Sequence, residues 1–411
     1  MGLNGERRRN TAGAGSLLEL IRTRTATTRV ALTRASGLAR ATVNDRLDLL
    51  LEAGLIADNG SAASTGGRRA ASFAFNHSSG VVFVADLGAS VAGLAVCDLG
   101  ANVLAHERHA SDIAAGPEVN LALVRDRMPV LLAAADRTTA DVIAVTVGVP
   151  GPVQASPPRV VSPPIMPGWD GVVIPDALGL DLPVPILVGK DTNLMALGEH
   201  RACFTDEEHI LVVKVGTGVG SGVIVARSLH RGAEGAAGDI GHIPVPGIDE
   251  QCVCGKIGCV EAKAGGWAIA RDLRALGHDV RSSRDVVAMI RAREPDAMRL
   301  VNEGARLLGT AIADAVNVLN PSTVVLGGDI AIAHEHVLAH VREVVYTRSL
   351  PLATRALDIV VSQLGNRAGI LGGAYLAIEH RLRPDALDRE LERRLSSGAL
   401  SAWASTQSPG A

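Results

Sequence analysis

The chain contains no run of 18 or more apolar residues, so a membrane-spanning helix is not expected. A secretory leader is not expected either, because Arg7, Arg8 and Arg9 are followed by TAGAGSLLEL, which is too polar for the apolar region of a signal peptide. Lysine is scarce: only residues 190, 214, 256 and 263 are lysine, and the other 36 of the 40 basic residues are arginine. With abundant alanine and glycine, that bias points to a GC-rich genome rather than to a function. Cysteine is limited to five residues, of which Cys97 and Cys203 stand alone.

The hydrophobic share, 47% of 411 residues, is too high for a disordered chain and sufficient for the cores of two or three domains. The net charge of −3 hides an asymmetry. Residues 1–80 carry 11 arginines against 6 acids, a net of +5, and the remainder is at −8. A basic first segment on an acidic body points to an anionic partner for that segment alone, although a solvated surface would have the same charge.

The three remaining cysteines cluster as Cys252-x-Cys254-x4-Cys259, with His242 upstream. Three thiolates and an imidazole are a ligand set that tetrahedral zinc prefers. Gly255 and Gly258 allow the tight folding that such convergence needs. Ordinary buried cysteines are the blander alternative, but a Cys-x-Cys pair is too close for an easy disulfide. Three carboxylates, Glu234, Asp239 and Glu261, share the stretch. Reduced, metal-type cysteines, with no leader expected, suggest a cytoplasmic protein.

In the first eighty residues, SLLELIR (16–22) and RVALTRAS (29–36) read as short helices. Gly37 breaks the second, and ARATVNDRLDLLLEAG follows as a third helix. Its buried stripe is expected at Val43, Leu47, Leu50 and Leu51. Arg40, Ala41, Thr42, Asn44, Asp45 and Arg46 then form the exposed start of a recognition helix. Two extended segments follow, around 55–57 and 72–75. They flank a Gly/Ser-rich tip with Arg68 and Arg69, the pattern of a winged hairpin that binds phosphate or enters a minor groove. A helical dimerisation module with a surface loop is the alternative.

In the body, residues 81–99 alternate as two paired strands around the turn Asp86-Leu87-Gly88-Ala89-Ser90, where a carboxylate, a glycine and a hydroxyl suit a magnesium-bound phosphate. Strands are expected at 142–149, 185–188, 211–216, 222–226, 323–328 and 358–362, and helices at 118–135, 297–319 and 368–382. Asp191, at the carboxyl end of a strand, is placed to accept a proton from a ligand hydroxyl, or else to cap the following helix together with Asn193. The turn Gly216-Thr217-Gly218-Val219-Gly220 exposes amides to phosphate, as plain hairpins also do. Residues 385–411 lose periodicity and are expected to fray.

These motifs together resemble the ROK family (repressors, open reading frames and sugar kinases) over residues 12–382. Asp86-x-Gly88-x-Ser90 and Gly216-Thr217-Gly218-Val219-Gly220 resemble its two phosphate motifs. Asp191-Thr192-Asn193 resembles the segment with the kinase base, and Val324-Val325-Leu326-Gly327-Gly328 its adenosine motif. Gly238-Asp239-Ile240-Gly241-His242 followed by the cysteine cluster is its most specific signature. The resemblance implies an α/β fold: a winged helix-turn-helix over 1–80, then an actin/hexokinase-like (ribonuclease H-like) domain of two lobes. The first lobe would span 81–190, completed by a helix at 368–383, the second 191–367 with the zinc loop, and 384–411 a flexible tail. The resemblance further implies sugar contacts from Lys190, Asp191, Asp239, His242 and Glu261, and a structural zinc on His242, Cys252, Cys254 and Cys259.

Three departures stand out. Lys190 replaces an asparagine, Ala89 a glycine, and Asp239 a glutamate. A cation beside Asp191 favours its ionised form and weakens it as a base. Lys190 therefore either pairs with Asp191 or selects an anionic ligand. The departures argue against bound ATP and magnesium. They favour a sugar-responsive transcriptional regulator of the repressor branch over an active sugar kinase with a DNA-binding domain, and the expected helix-turn-helix argues against a sugar-binding protein with no DNA role. Its expected partners are operator DNA, a sugar or sugar derivative, and a second copy of the chain.

Overall fold

The computed structural model describes residues 11, 13–61, 71–155, 157–333, 335–398 and 400. It begins with three helices, α1 (Ala14–Arg22), α2 (Arg29–Ser36) and α3 (Arg40–Glu52). The Thr28 hydroxyl caps α2 by accepting from the Ala31 N–H at 3.3 Å, and Gly37 ends it at φ 67°, a left-handed conformation that glycine adopts without a steric penalty. Ala39 opens α3 without a side-chain acceptor. The buried face of α3 holds Val43, Arg46, Leu47, Leu49 and Leu50, with Leu51 only half-buried. Arg46, expected among the exposed contacts, is therefore corrected. It lies three residues after Val43 and four before Leu50, on the inward stripe, where its aliphatic stem can pack. Strands β1 (Ile56–Ser61) and β2 (Ala71–Phe75) pair antiparallel. Arg68 and Arg69 lie outside the described residues.

The body repeats one plan twice. β3 (Val81–Leu87), β4 (Val91–Asp98) and β5 (Val103–Ala110) form a meander. After α4 (Pro117–Ala134) come β6 (Val142–Val149), a small hairpin of β7 (Val153–Ala155) and β8 (Pro158–Val160), α5 (Ile174–Leu178) and β9 (Ile186–Lys190). The second half starts with α6 (Asp191–Cys203) and a meander of β10 (Ile210–Val215), β11 (Val219–Val225) and β12 (Ser228–His230). Helices α7 (Glu261–Ala264), α8 (Gly266–Ala275), α9 (Ser283–Arg291) and α10 (Pro295–Leu319) lead to β13 (Thr323–Gly327). Then follow α11 (Asp329–Ala333), α12 (Glu335–Arg348), α13 (Pro351–Thr354), β14 (Asp358–Val361), α14 (Ala368–Leu382) and α15 (Pro384–Ser397). The sheets run β5-β4-β3-β6-β9 and β12-β11-β10-β13-β14, so each reads 3-2-1-4-5 in its own strand order. Within each sheet the meander pairs antiparallel and the two later strands pair parallel.

Helices α6 and α14 pack against each other between the sheets, and glycine makes the approach possible. A Cβ on Gly198 would come within 2.1 Å of the Ala368 carbonyl oxygen, and one on Gly372 within 1.7 Å of the Leu194 carbonyl oxygen. Their crossing places the starts of both helices, and the carboxyl ends of β9 and β13, around one cleft.

The expected frayed tail is corrected as far as residue 398. α15 is a helix because Leu387 and Leu391, one turn apart, are fully buried, while Glu390 pairs with Arg381, Arg393 and Arg394. Asp388 accepts from the N–H groups of Gly13 and Gly15, both at 2.8 Å, and so satisfies the start of α1. One apolar cluster runs from Leu17 and Leu47 in the first helices through Leu387 and Leu391 to Ile378 on α14 and Val84 on β3. The N-terminal helices thus share a core with the first sheet.

Candidate functional site

The cleft between the sheets encloses a cavity of about 350 Å³. Its walls come from loops at strand ends, where backbone amides and short polar side chains are free to face a ligand. The β3–β4 turn supplies Asp86, Gly88 and Ser90, the β9–α6 junction Lys190 and Asp191, and the β10–β11 turn Gly216, Thr217, Gly218 and Gly220. Asp239 and His242 flank a single helical turn, Glu261 opens α7, and Gly328 follows β13. Gly327 does not line the cavity. A Cβ there would sit 2.0 Å from the Met195 Cε, so its smallness serves packing against α6.

The charge pairing differs from the sequence expectation. Lys190 bonds Asp239, not Asp191. Asp191 is met by Lys214, whose Nζ lies 2.7 Å from Oδ2, while Oδ1 accepts from the Thr192 N–H at 2.7 Å. Lys190 ends β9 and Asp191 begins α6, and their side chains diverge at that junction. Burial alone would lower the Lys214 ammonium, but Asp191 and Asp86, helped by Asp329, hold it above its ordinary range. Burial raises Asp86 to about 6, with Lys214 and Arg108 opposing and Asp191 adding to the rise. Asp86 Oδ1 is shut from solvent without a hydrogen-bond partner.

Glu261 is buried and held at both oxygens, by the Val219 N–H at 2.8 Å and the Trp267 Nε1 at 3.1 Å. It therefore fixes the β10–β11 turn as well as facing the cavity. Arg284 on α9 donates to the Ser90 carbonyl across the cleft, while Thr217 shares a hydrogen bond with Ser283 at 2.9 Å within the second half.

His242, Cys252, Cys254 and Cys259 converge so that their ligand atoms all lie within 4.8 Å of one another. His242 Nδ1 is 3.7 Å from the Cys252 sulfur, and the sulfurs of Cys254 and Cys259 are 3.7 Å apart. A disulfide would need about 2.05 Å. A tetrahedron with metal–sulfur bonds of about 2.3 Å has edges of roughly 3.8 Å, so the spacing fits a four-coordinate zinc. Gly255 (φ 87°) and Gly258 (φ 83°) sit at the turns of this knuckle. Because His242 also lines the cavity, the cluster and the cleft share one imidazole. A second group, His278, Glu294 and Asp296, serves helix structure, since Glu294 caps α10 and Asp296 bonds Arg299.

On α3, Arg40, Ala41 and Asp45 are exposed and Thr42 and Asn44 are half-buried. The sequence reasoning missed Lys214, Arg108, Asp329 and Arg284. Only Lys214 left a trace, as one of four lysines and the single charge in the apolar strand ILVVKV.

Two sheets of identical strand order, joined by crossing helices over a polar cleft, define the actin/hexokinase-like class of α/β proteins. Residues 82–380 match the ROK family, and the chain belongs to it. It is 30% identical to the DNA-binding transcriptional dual regulator NagC of Escherichia coli over 366 residues, covering 86% of this chain and 89% of that one. It is 27% identical to the xylose repressor of Caldicellulosiruptor bescii over 369 residues, covering 86% and 92%. A glucokinase of Halalkalibacterium halodurans is 30% identical over 269 residues, 62% of this chain and 81% of that one. Among solved structures, a ROK family transcriptional regulator described as a homologue of the E. coli MLC protein superposes with a TM-score of 0.77 over 93% of this chain and 99% of its own, at 23% identity.

Proposed function

We propose that the chain is a sugar-responsive transcriptional repressor. The observation that carries this is the coexistence, in one continuous core, of a helix-turn-helix head and a cleft whose proton acceptor is already paired. Asp191 Oδ2 sits 2.7 Å from the Lys214 Nζ, and a carboxylate already held by an ammonium is a poor proton acceptor for a ligand hydroxyl. The repressor relatives cover 86% of the chain, whereas the glucokinase of H. halodurans covers 62%.

In this reading α3 enters the major groove through Arg40, Ala41, Thr42, Asn44 and Asp45, and the hairpin with Arg68 and Arg69 tracks phosphate. The chain acts as a dimer, since symmetric copies read paired half-sites. A structural zinc on His242, Cys252, Cys254 and Cys259 fixes the His242 ring toward the cleft. The cavity wall carries five carboxylates, Asp86, Asp191, Asp239, Glu261 and Asp329, against the three cations Lys190, Lys214 and Arg108. With Lys190 committed to Asp239, that balance favours a neutral polyhydroxyl effector over an anionic one.

The kinase alternative keeps one support, the persistence of Asp86, Asp191 and the glycine turn at 216–220 along one cavity. A coupled ADP-release assay across a sugar panel separates the two. The proposal expects no sugar-dependent release, and turnover with any sugar in the panel overturns it.

A further inference from the structure

A lysine in a buried strand calls for a cause. In β10 the neighbours of Lys214, Val213 and Val215, are buried. In register beside it lie Gly220 on β11 and Gly327 on β13, so neither flanking strand puts a side chain next to its stem. A Cβ on Gly220 would meet Thr192 at 3.0 Å and one on Gly327 would meet Met195 at 2.0 Å, so this face of the sheet looks onto the start of α6. The stem passes between the glycines and ends on Asp191. Two further carboxylates line the same cavity, Asp86 from the opposite sheet and Asp329 at the start of α11, and both act on the ammonium electrostatically. Asp86 adds a solvent-shielded oxygen with no partner. Carboxylates that line one cavity from three separate elements, one with an unbonded oxygen, suit a hydrated divalent ion, which takes one or two carboxylates and keeps water for the rest. Here the protein's own ammonium is among them.

We propose that Lys214 is a tethered cation standing in the divalent-metal position of the cleft, so that the site binds its ligand without metal and does not accept a metal–nucleotide. The magnesium and nucleotide that the sugar kinases of the family imply do not fit this arrangement, because an ion entering it meets a like charge already bonded to the central carboxylate. The ammonium supplies one charge and three donors, whereas magnesium supplies two charges and demands oxygen ligands in near-octahedral order. The inference rests on the effector-cleft reading above, but its test does not involve DNA.

The probe is Mn²⁺ alone, followed by electron paramagnetic resonance on the zinc-loaded full chain. Mn²⁺ held at any other site persists when Asp191→Asn is introduced, so only the Asp191-dependent fraction counts. Wild-type protein is expected to show none up to millimolar Mn²⁺. Lys214→Met is expected to gain one Asp191-dependent ion with affinity raised at least about tenfold, and Lys214→Arg, which keeps the charge, to gain none. Lys214→Gln serves where the methionine variant does not fold. Asp191-dependent Mn²⁺ in the wild type overturns the proposal, as does no gain in a folded neutral variant. The wild-type arm decides by itself if neither neutral variant folds. Failure to bind any operator would sink the repressor reading and leave this result standing.

Discussion

Asp86 sits in an environment that opposes its charge. Its carboxyl is raised to about 6 by burial, against an ordinary value of 3.8. The folded state therefore holds this proton more tightly than the unfolded state does. The stability it contributes is complete below about pH 4 and is lost as pH rises through about 6. Asp86→Asn should accordingly stabilise the protein at pH 8, on the order of 1–3 kcal/mol, with the difference shrinking toward zero at pH 4. Urea melts of both forms at the two pH values measure it, and an equal difference at both would contradict the burial argument. Asp86 and Asp191 were legible from their places at a glycine turn and a strand end, whereas Asp239, His242 and Glu261 were drawn to the cleft only through the family resemblance. Sequence reasoning misassigned the partner of Lys190 because adjacency along the chain says nothing about direction at a strand-to-helix junction. Lys214 is 23 residues from Asp191, and only the pairing of β10 beside the start of α6 brings them together.

At the scale of the element, α15 decides how the head is held. Its apolar stripe is narrow, Leu387 and Leu391 in a run dominated by charge, and such a stripe is hard to tell from a solvated tail until a partner helix is known. The longer elements were easier to read. The helix at 368–382 was placed to the residue, and the strand at 142–149 likewise, because their apolar runs end at clear breakers. α14 starts at the cavity with Ala368 and Gly369 and continues through Arg383 into α15, which caps α1 through Asp388. Asp388→Ala should remove that cap and cost about 1 kcal/mol in denaturant melts. The more telling readout is functional. Affinity for DNA should fall while affinity for sugar, measured by calorimetry on the same protein, stays unchanged, and equal losses in both would contradict a role confined to the head.

At the scale of the whole molecule, zinc and DNA mark the two ends of the proposed device. Elemental analysis of protein purified without chelator should give one zinc per chain. Cys252→Ser should lower the melting temperature and weaken sugar binding together, since His242 belongs to both sites. Stability loss with sugar affinity intact would separate the cluster from the cleft. On the DNA side, Arg68→Ala should weaken binding to all sequences alike and reduce the salt slope by about 1, whereas Asn44→Ala should change base preference. Among the described residues no helix is long and apolar enough to cross a membrane. The repeated 3-2-1-4-5 order of the sheets was not visible in the sequence, since the two halves share topology and not residues. The most direct measurement is fluorescence anisotropy of the chain's own promoter fragment, titrated with the full protein in the presence and absence of a panel of neutral sugars. Saturable, sequence-dependent binding that one sugar shifts by about tenfold or more is the predicted result. Binding that no sugar alters, or no preference for the promoter over unrelated DNA, would contradict a sugar-responsive repressor.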